Sequence, residues 1–173
     1  MSVLQFFNPI TAFAFDVDGV LTDGKILLFE NGEHARTMNI KDGYALQLAI
    51  KKGYHVVVIS GAVSAAVKLR LNKLGIEAVF MGIQDKKDFL DTYLTENNLN
   101  WKDLLFMGDD IPDHAAMLNA GLACAPADAV PEIRHIARYI STSRGGEGCV
   151  RDVIEKVLKL NGHWELDTSV TSR

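Results

Sequence analysis

The sequence predicts an α/β fold, and three observations carry that prediction. Short apolar runs alternate with amphipathic segments along most of the chain, the pattern of β/α units on a parallel sheet. No second domain is inserted between any two of these units. Between the first apolar run and the first amphipathic segment lies Glu30-Asn31-Gly32-Glu33, a hairpin signal because Asn-Gly tolerates the positive φ of a tight turn. Together they imply a three-layer, doubly wound, Rossmann-like parallel sheet with no cap domain and a projecting β-hairpin at residues 25–39.

The elements follow in order. Strands are expected at 12–16, 56–60, 78–81, 104–108, 122–125 and, briefly, 139–140. Helices are expected at 42–52, 63–74, 86–97, 112–120, 130–137 and 149–160. In the second of these, Val63, Val67, Leu71 and Leu74 recur at helical spacing and should share one buried face. Residues 1–160 read as one domain, and 161–173 as a polar tail that is mobile in isolation. There are no internal repeats and no low-complexity segment.

Bulk properties narrow the function. The 173 residues can bury a proper core, and 48% hydrophobic with 23% charged residues is ordinary for a soluble globular protein. A net charge of −4 argues against nucleic acid or an anionic membrane surface as a partner. It does not exclude an anionic substrate, because a metal and a few local cations can reverse the sign inside one pocket. Cys124 and Cys149 form neither a disulfide framework nor a metal-ligand spacing. There is no signal-peptide pattern and no apolar stretch near the ~20 residues of a membrane helix, so a cytoplasmic setting is expected.

The chemistry gathers at expected strand ends. Asp16-Val17-Asp18-Gly19 closes the first run. Such a pair can cap a turn, or hold Mg²⁺ and attack phosphorus. Ser60-Gly61 ends the second; it can cap the next helix, or offer a hydroxyl and a close backbone N–H to a phosphate oxygen. Lys86 opens a helix, where a cation opposes the macrodipole, so an anion is its better partner. Asp109, Asp110 and Asp113 crowd the fourth strand end and would repel one another unless a cation sits among them.

Acid pair, hydroxyl, lysine and acid cluster in this order resemble the haloacid dehalogenase-like superfamily of Mg²⁺-dependent phosphohydrolases, over about residues 10–160. The resemblance implies that Asp16 is the nucleophile and Asp18 the general acid/base. It implies that Ser60, Gly61 and Lys86 bind the phosphoryl group. Asp16, the Asp18 main-chain carbonyl and Asp109 would hold Mg²⁺, with Asp113 and Asp110 behind them. The runs Asp16 to Gly24, Asn39 to Tyr44 and Arg144 to Gly148 look like the capless 3-deoxy-D-manno-octulosonate 8-phosphate phosphatase subfamily. That likeness implies a small sugar-acid phosphate as substrate and a role in lipopolysaccharide biosynthesis. It also implies a homotetramer whose pocket is shared between subunits, and substrate contacts at Asn39, Ile40, Lys41, Asp42, Gly43 and Arg70.

Two positions depart from the subfamily pattern: Ala62 and Gln47 stand where arginines are expected. Losing two guanidiniums removes bidentate carboxylate or phosphate contacts, which keeps a 2-keto-3-deoxy-nonulosonate 9-phosphate substrate in play. Two other classes share parts of this pattern. A phospho-accepting receiver domain uses similar groups, but its phospho-acceptor sits on a central strand that here ends in Ser60. A non-catalytic binding protein would not need all four groups intact.

Overall fold

The computed structural model describes residues 3–170. Six parallel strands form the main sheet: β1 (Ala12–Phe15), β4 (His55–Ser60), β5 (Ala78–Met81), β6 (Leu104–Met107), β7 (Leu122–Ala125) and β8 (Tyr139–Ile140), in the order β5-β4-β1-β6-β7-β8. The two short strands β2 (Leu27–Leu28) and β3 (His34–Ala35) pair antiparallel as the hairpin. Phe29 and Glu33 close its turn, and Gly32 takes the positive φ of 84°.

Strand residues alternate between two cores, because successive side chains leave a strand on opposite faces. Phe13, Phe15, Val56, Val58, Leu105 and Met107 pack against α1 (Ile40–Lys51), α2 (Ala65–Lys73) and α6 (Cys149–Leu160). Ala12, Ala14, Val57, Ile59, Leu104 and Phe106 pack against α3 (Lys86–Glu96), α4 (His114–Asn119) and α5 (Pro131–Ile136). These are the three layers, and no cap domain interrupts them among the described residues.

The chain runs outward from β1 to β5, then crosses back to β6 and runs the other way. The winding therefore reverses between β1 and β6, and such a reversal opens a crevice at the strands' carboxyl ends. Asp16 follows β1 directly, and Gly108-Asp109 follows β6.

Three local differences have simple causes. Helix α2 starts at Ala65 because the Ser64 hydroxyl caps it, accepting from the Val67 N–H at 3.3 Å; Val63 falls outside and is 75% exposed. The helix expected at 112–120 is split into a 3₁₀ turn at Ile111–Asp113 and α4, with Asp110 capping the turn through the Ile111 N–H at 2.7 Å. The segment after α6 doubles back along α1: Lys51 pairs with Asp167 at 2.6 Å, and Arg151 stacks over Trp164.

Candidate active site

Asp16, Asp18, Ser60, Gly61, Lys86, Asp109, Asp110 and Asp113 line one cleft of about 450 Å³ at the reversal point, together with Ala62 and Gln84. Lys86 is the one cation among the lining residues. Its side chain is 3% exposed, and its ammonium donates to Asp16 Oδ1 and Asp113 Oδ1, both at 2.6 Å. Asp113 Oδ2 accepts from the Asp109 N–H at 3.0 Å, so both Asp113 oxygens are occupied. Asp113 thus fixes Lys86 on one side and the Asp109 backbone on the other.

Asp16, Asp109 and Asp113 each offer an oxygen within 4.8 Å of the others. Burial pushes Asp16 up to about 6, with Asp113 adding to the rise and Lys86 opposing it. Burial, followed by Asp16 and Asp113, pushes Asp109 up to about 8. Burial would lower Lys86, but the Asp113 and Asp16 carboxylates outweigh it and hold it above its ordinary value. Asp109 Oδ1 is buried with no hydrogen-bond partner among the described residues. A buried orphan carboxylate oxygen facing other carboxylates fits a cation, and an all-oxygen donor set suits Mg²⁺.

The loop after β1 is shaped for this approach. Asp18 and Gly19 leave helical geometry within residues 17–21, and Gly19 has φ 92°. The Thr22 hydroxyl accepts from the Gly19 and Gly24 N–H groups, both at 3.2 Å. A Cβ on Gly19 would lie 2.0 Å from Asp109 Oδ2. Gly19→Ala should therefore displace Asp109 and weaken Mg²⁺ affinity by roughly 10–100-fold, measured by titrating activity with the metal.

The pH dependence follows from Asp16 and Asp109. Both titrate above their ordinary 3.8 in the fold, so the protonated forms stabilise it, and that stability is lost as pH rises through about 6 and about 8. Metal-free protein should melt at lower temperature as pH rises across this window. Added Mg²⁺ should raise the melting temperature most at its upper end, read by a thermal shift series.

The other expected site residues lie elsewhere in this chain. Asn39 caps α1 through the Lys41 N–H at 2.8 Å. Asp42 is buried at the first turn of α6, accepting from the Arg151 N–H at 2.7 Å. A Cβ on Gly43 would lie 3.2 Å from Arg70 Nη2, so the guanidinium sits close over this glycine. Ile40 and Arg70 line a second cavity of about 480 Å³ between the hairpin and α2, and Lys41 is exposed. Sequence reasoning missed Arg36, whose guanidinium grips Asp18: Nε donates to Oδ1 at 2.5 Å and Nη2 to Oδ2 at 3.4 Å.

No protein-family model matches the chain. A relative from Yersinia pestis, named 3-deoxy-D-manno-octulosonate 8-phosphate phosphatase, is 33% identical over 156 residues, which is 90% of this chain and 83% of that protein. The chain belongs to the 3-deoxy-D-manno-octulosonate 8-phosphate phosphatase family. The family's member from Moraxella catarrhalis, solved in complex with magnesium ion, phosphate ion and a KDO molecule, is 33% identical with a TM-score of 0.88, covering 91% of each chain. The cobalt-bound enzyme from Haemophilus influenzae is 28% identical with a TM-score of 0.86, covering 90% of this chain and 88% of that one. Both family members were thus solved with a metal bound, magnesium in one and cobalt in the other. No helix among the described residues of this family member is long and apolar enough to cross a membrane.

Proposed function

We propose that this chain is a Mg²⁺-dependent phosphatase that hydrolyses 3-deoxy-D-manno-octulosonate 8-phosphate through an aspartyl-phosphate on Asp16. The observation that carries the reading is the buried Asp16–Lys86–Asp113 arrangement beside the orphaned Asp109 oxygen. The relatives' printed names and the Moraxella complex support the substrate.

Asp16, Asp109 and the Asp18 main-chain carbonyl would hold the metal. When bound, it supplies positive charge that screens the nucleophile from the phosphoryl oxygens. In the first half-reaction an Asp16 oxygen attacks phosphorus in line, forming an O–P bond as the ester P–O bond breaks. Asp18 gives its proton to the departing sugar oxygen, which leaves as the alcohol. In the second, a water oxygen bonds to phosphorus and the Asp16–phosphorus bond breaks. The water's proton passes to Asp18, and phosphate departs with both carboxyl groups restored. Lys86, the Ser60 hydroxyl and the Gly61 N–H meet the equatorial oxygens where negative charge is spread.

One observation favours the second substrate, a 2-keto-3-deoxy-nonulosonate 9-phosphate. Ala62 lines the cleft at the position where the octulosonate subfamily pattern has an arginine, so this chain lacks that pattern's guanidinium there. The same reading takes residues 1–160 as one phosphatase domain working in the cytoplasm as a homotetramer, with a pocket shared between subunits. Its hairpin supports that assembly: Ile26, Leu27, Leu28 and Phe29 are 50%, 63%, 76% and 48% exposed in a row. Ile40 and Arg70 would then act on substrate from the second cavity and Asn39 and Lys41 across the subunit boundary, while the buried Asp42 and Gly43 would hold that segment in place. A phosphate-release screen across sugar-acid phosphates with Mg²⁺ tests the function. Fastest turnover of the octulosonate ester is expected, and absence of turnover on every ester would overturn the reading.

A further inference from the structure

We propose that Arg36 is a positioning residue for Asp18, one that decides which Asp18 oxygen carries the transferred proton. The inference rests on the phosphatase reading above and deepens it. Arg36 follows β3 on the hairpin, 18 residues from Asp18 in sequence. It is brought there because Thr22 and Met38 bridge antiparallel at the hairpin base, beside the loop that carries Asp18.

The arrangement is specific. The Arg36 side chain is 7% exposed, and Asp18 is the acid it pairs with among the described residues. A guanidinium withdrawn from water to this degree is costly unless it meets a carboxylate with good geometry. The Asp18 side chain remains 34% exposed and lines the catalytic cleft, whereas Arg36 lines the neighbouring second cavity and not the cleft that holds the phosphoryl-binding groups. The guanidinium therefore acts on the reaction through Asp18 rather than on the phosphoryl group.

The two contacts are unequal. Oδ1 receives the short Nε bond at 2.5 Å, whereas Oδ2 receives only a 3.4 Å contact from Nη2. A carboxylic acid bonded this way keeps Oδ1 as the acceptor and leaves Oδ2 to bear the hydrogen. The Oδ2–H bond breaks toward the leaving oxygen as the ester P–O bond breaks and the Asp16–phosphorus bond forms. A fork that holds both oxygens fixes the plane of the carboxyl group, which a single ammonium cannot do.

Leaving-group dependence tests this, because kcat/KM reports the step in which the ester bond breaks. An alkyl ester needs the Asp18 proton, whereas p-nitrophenyl phosphate expels a stable anion without it. Arg36→Gln should lower kcat/KM for the sugar-acid phosphate and for glycerol 1-phosphate by roughly 10–100-fold. For p-nitrophenyl phosphate it should stay within about threefold of wild type, and Arg36→Lys should recover part of the alkyl-ester loss. In an Asp18→Asn background, Arg36→Gln should cost nothing further.

Equal losses on all three esters would make Arg36 merely structural and overturn the proposal. Loss confined to the sugar-acid ester would make it a carboxylate anchor and overturn it too, as would no loss at all. Should Arg36→Gln fail to fold by thermal melting, Arg36→Met keeps the apolar stem and carries the same readout. A wild-type protein inactive on all three esters would instead overturn the phosphatase reading, and this proposal with it.

Discussion

Asp16→Asn protein, loaded with Mg²⁺, should release phosphate from the octulosonate ester at least ~10⁴-fold more slowly than wild type. The amide is nearly isosteric with the carboxylate but cannot attack phosphorus. It also meets Lys86 less well, since the 2.6 Å contact to Asp16 Oδ1 loses its charge. Stability should change much less than activity. The substitution weakens one ion pair but relieves repulsion with Asp113 and Asp109, which adds to burial, the larger cause, in lifting Asp16 and Asp109. A thermal melt beside a phosphate-release assay separates the two effects. Turnover near the wild-type rate in Asp16→Asn would remove Asp16 from the nucleophile role.

Lys86→Met should damage fold and catalysis together. Lys86 is 4% exposed and holds two buried carboxylates apart from one another's charge. Removing one partner of a buried ion group leaves uncompensated charge and costs about 3–5 kcal/mol. Protonation offsets part of that cost, so the variant should be least destabilised at low pH, and Mg²⁺ should restore some stability where the carboxylates are ionised. Activity should still fall by roughly 10²–10³-fold at saturating Mg²⁺, because the cleft is lined by no other cationic side chain to meet the phosphoryl oxygens. Denaturant unfolding with and without Mg²⁺, beside steady-state kinetics, measures both.

The parts of the fold that could be read from the sequence are those with a local signature. Apolar runs such as Val56 to Ile59 mark strands because both faces of the sheet are covered by helices. Acids at the ends of such runs stand out because a strand end facing a crevice is where they can be used. The start of α2 was also encoded locally, in Ser64, but the spacing of Val63 with Val67 drew the expected helix two residues too early.

Residues whose place depends on distant chain were hidden. Arg36 reads as one charge on an exposed hairpin; only the Thr22–Met38 bridge carries it to Asp18. Asp42 sits in an acid-and-glycine stretch that suggests a ligand contact, whereas the fold sets it against the first turn of α6, more than a hundred residues on. Gly145 lies in the Arg144 to Gly148 run that carries the subfamily likeness, but the reason for it is tertiary: a Cβ there would lie 1.9 Å from the Gly19 carbonyl oxygen. The packing of two loops, not a motif, excludes any other residue at that position.

The phosphoenzyme itself tests the central claim most directly. Protein mixed with the octulosonate ester and Mg²⁺, quenched in acid on the pre-steady-state timescale and digested, should carry one phosphoryl group on the peptide containing Asp16. The label should be absent from Asp16→Asn. Phosphoryl on another residue, or a full turnover that never labels the protein, would contradict the account.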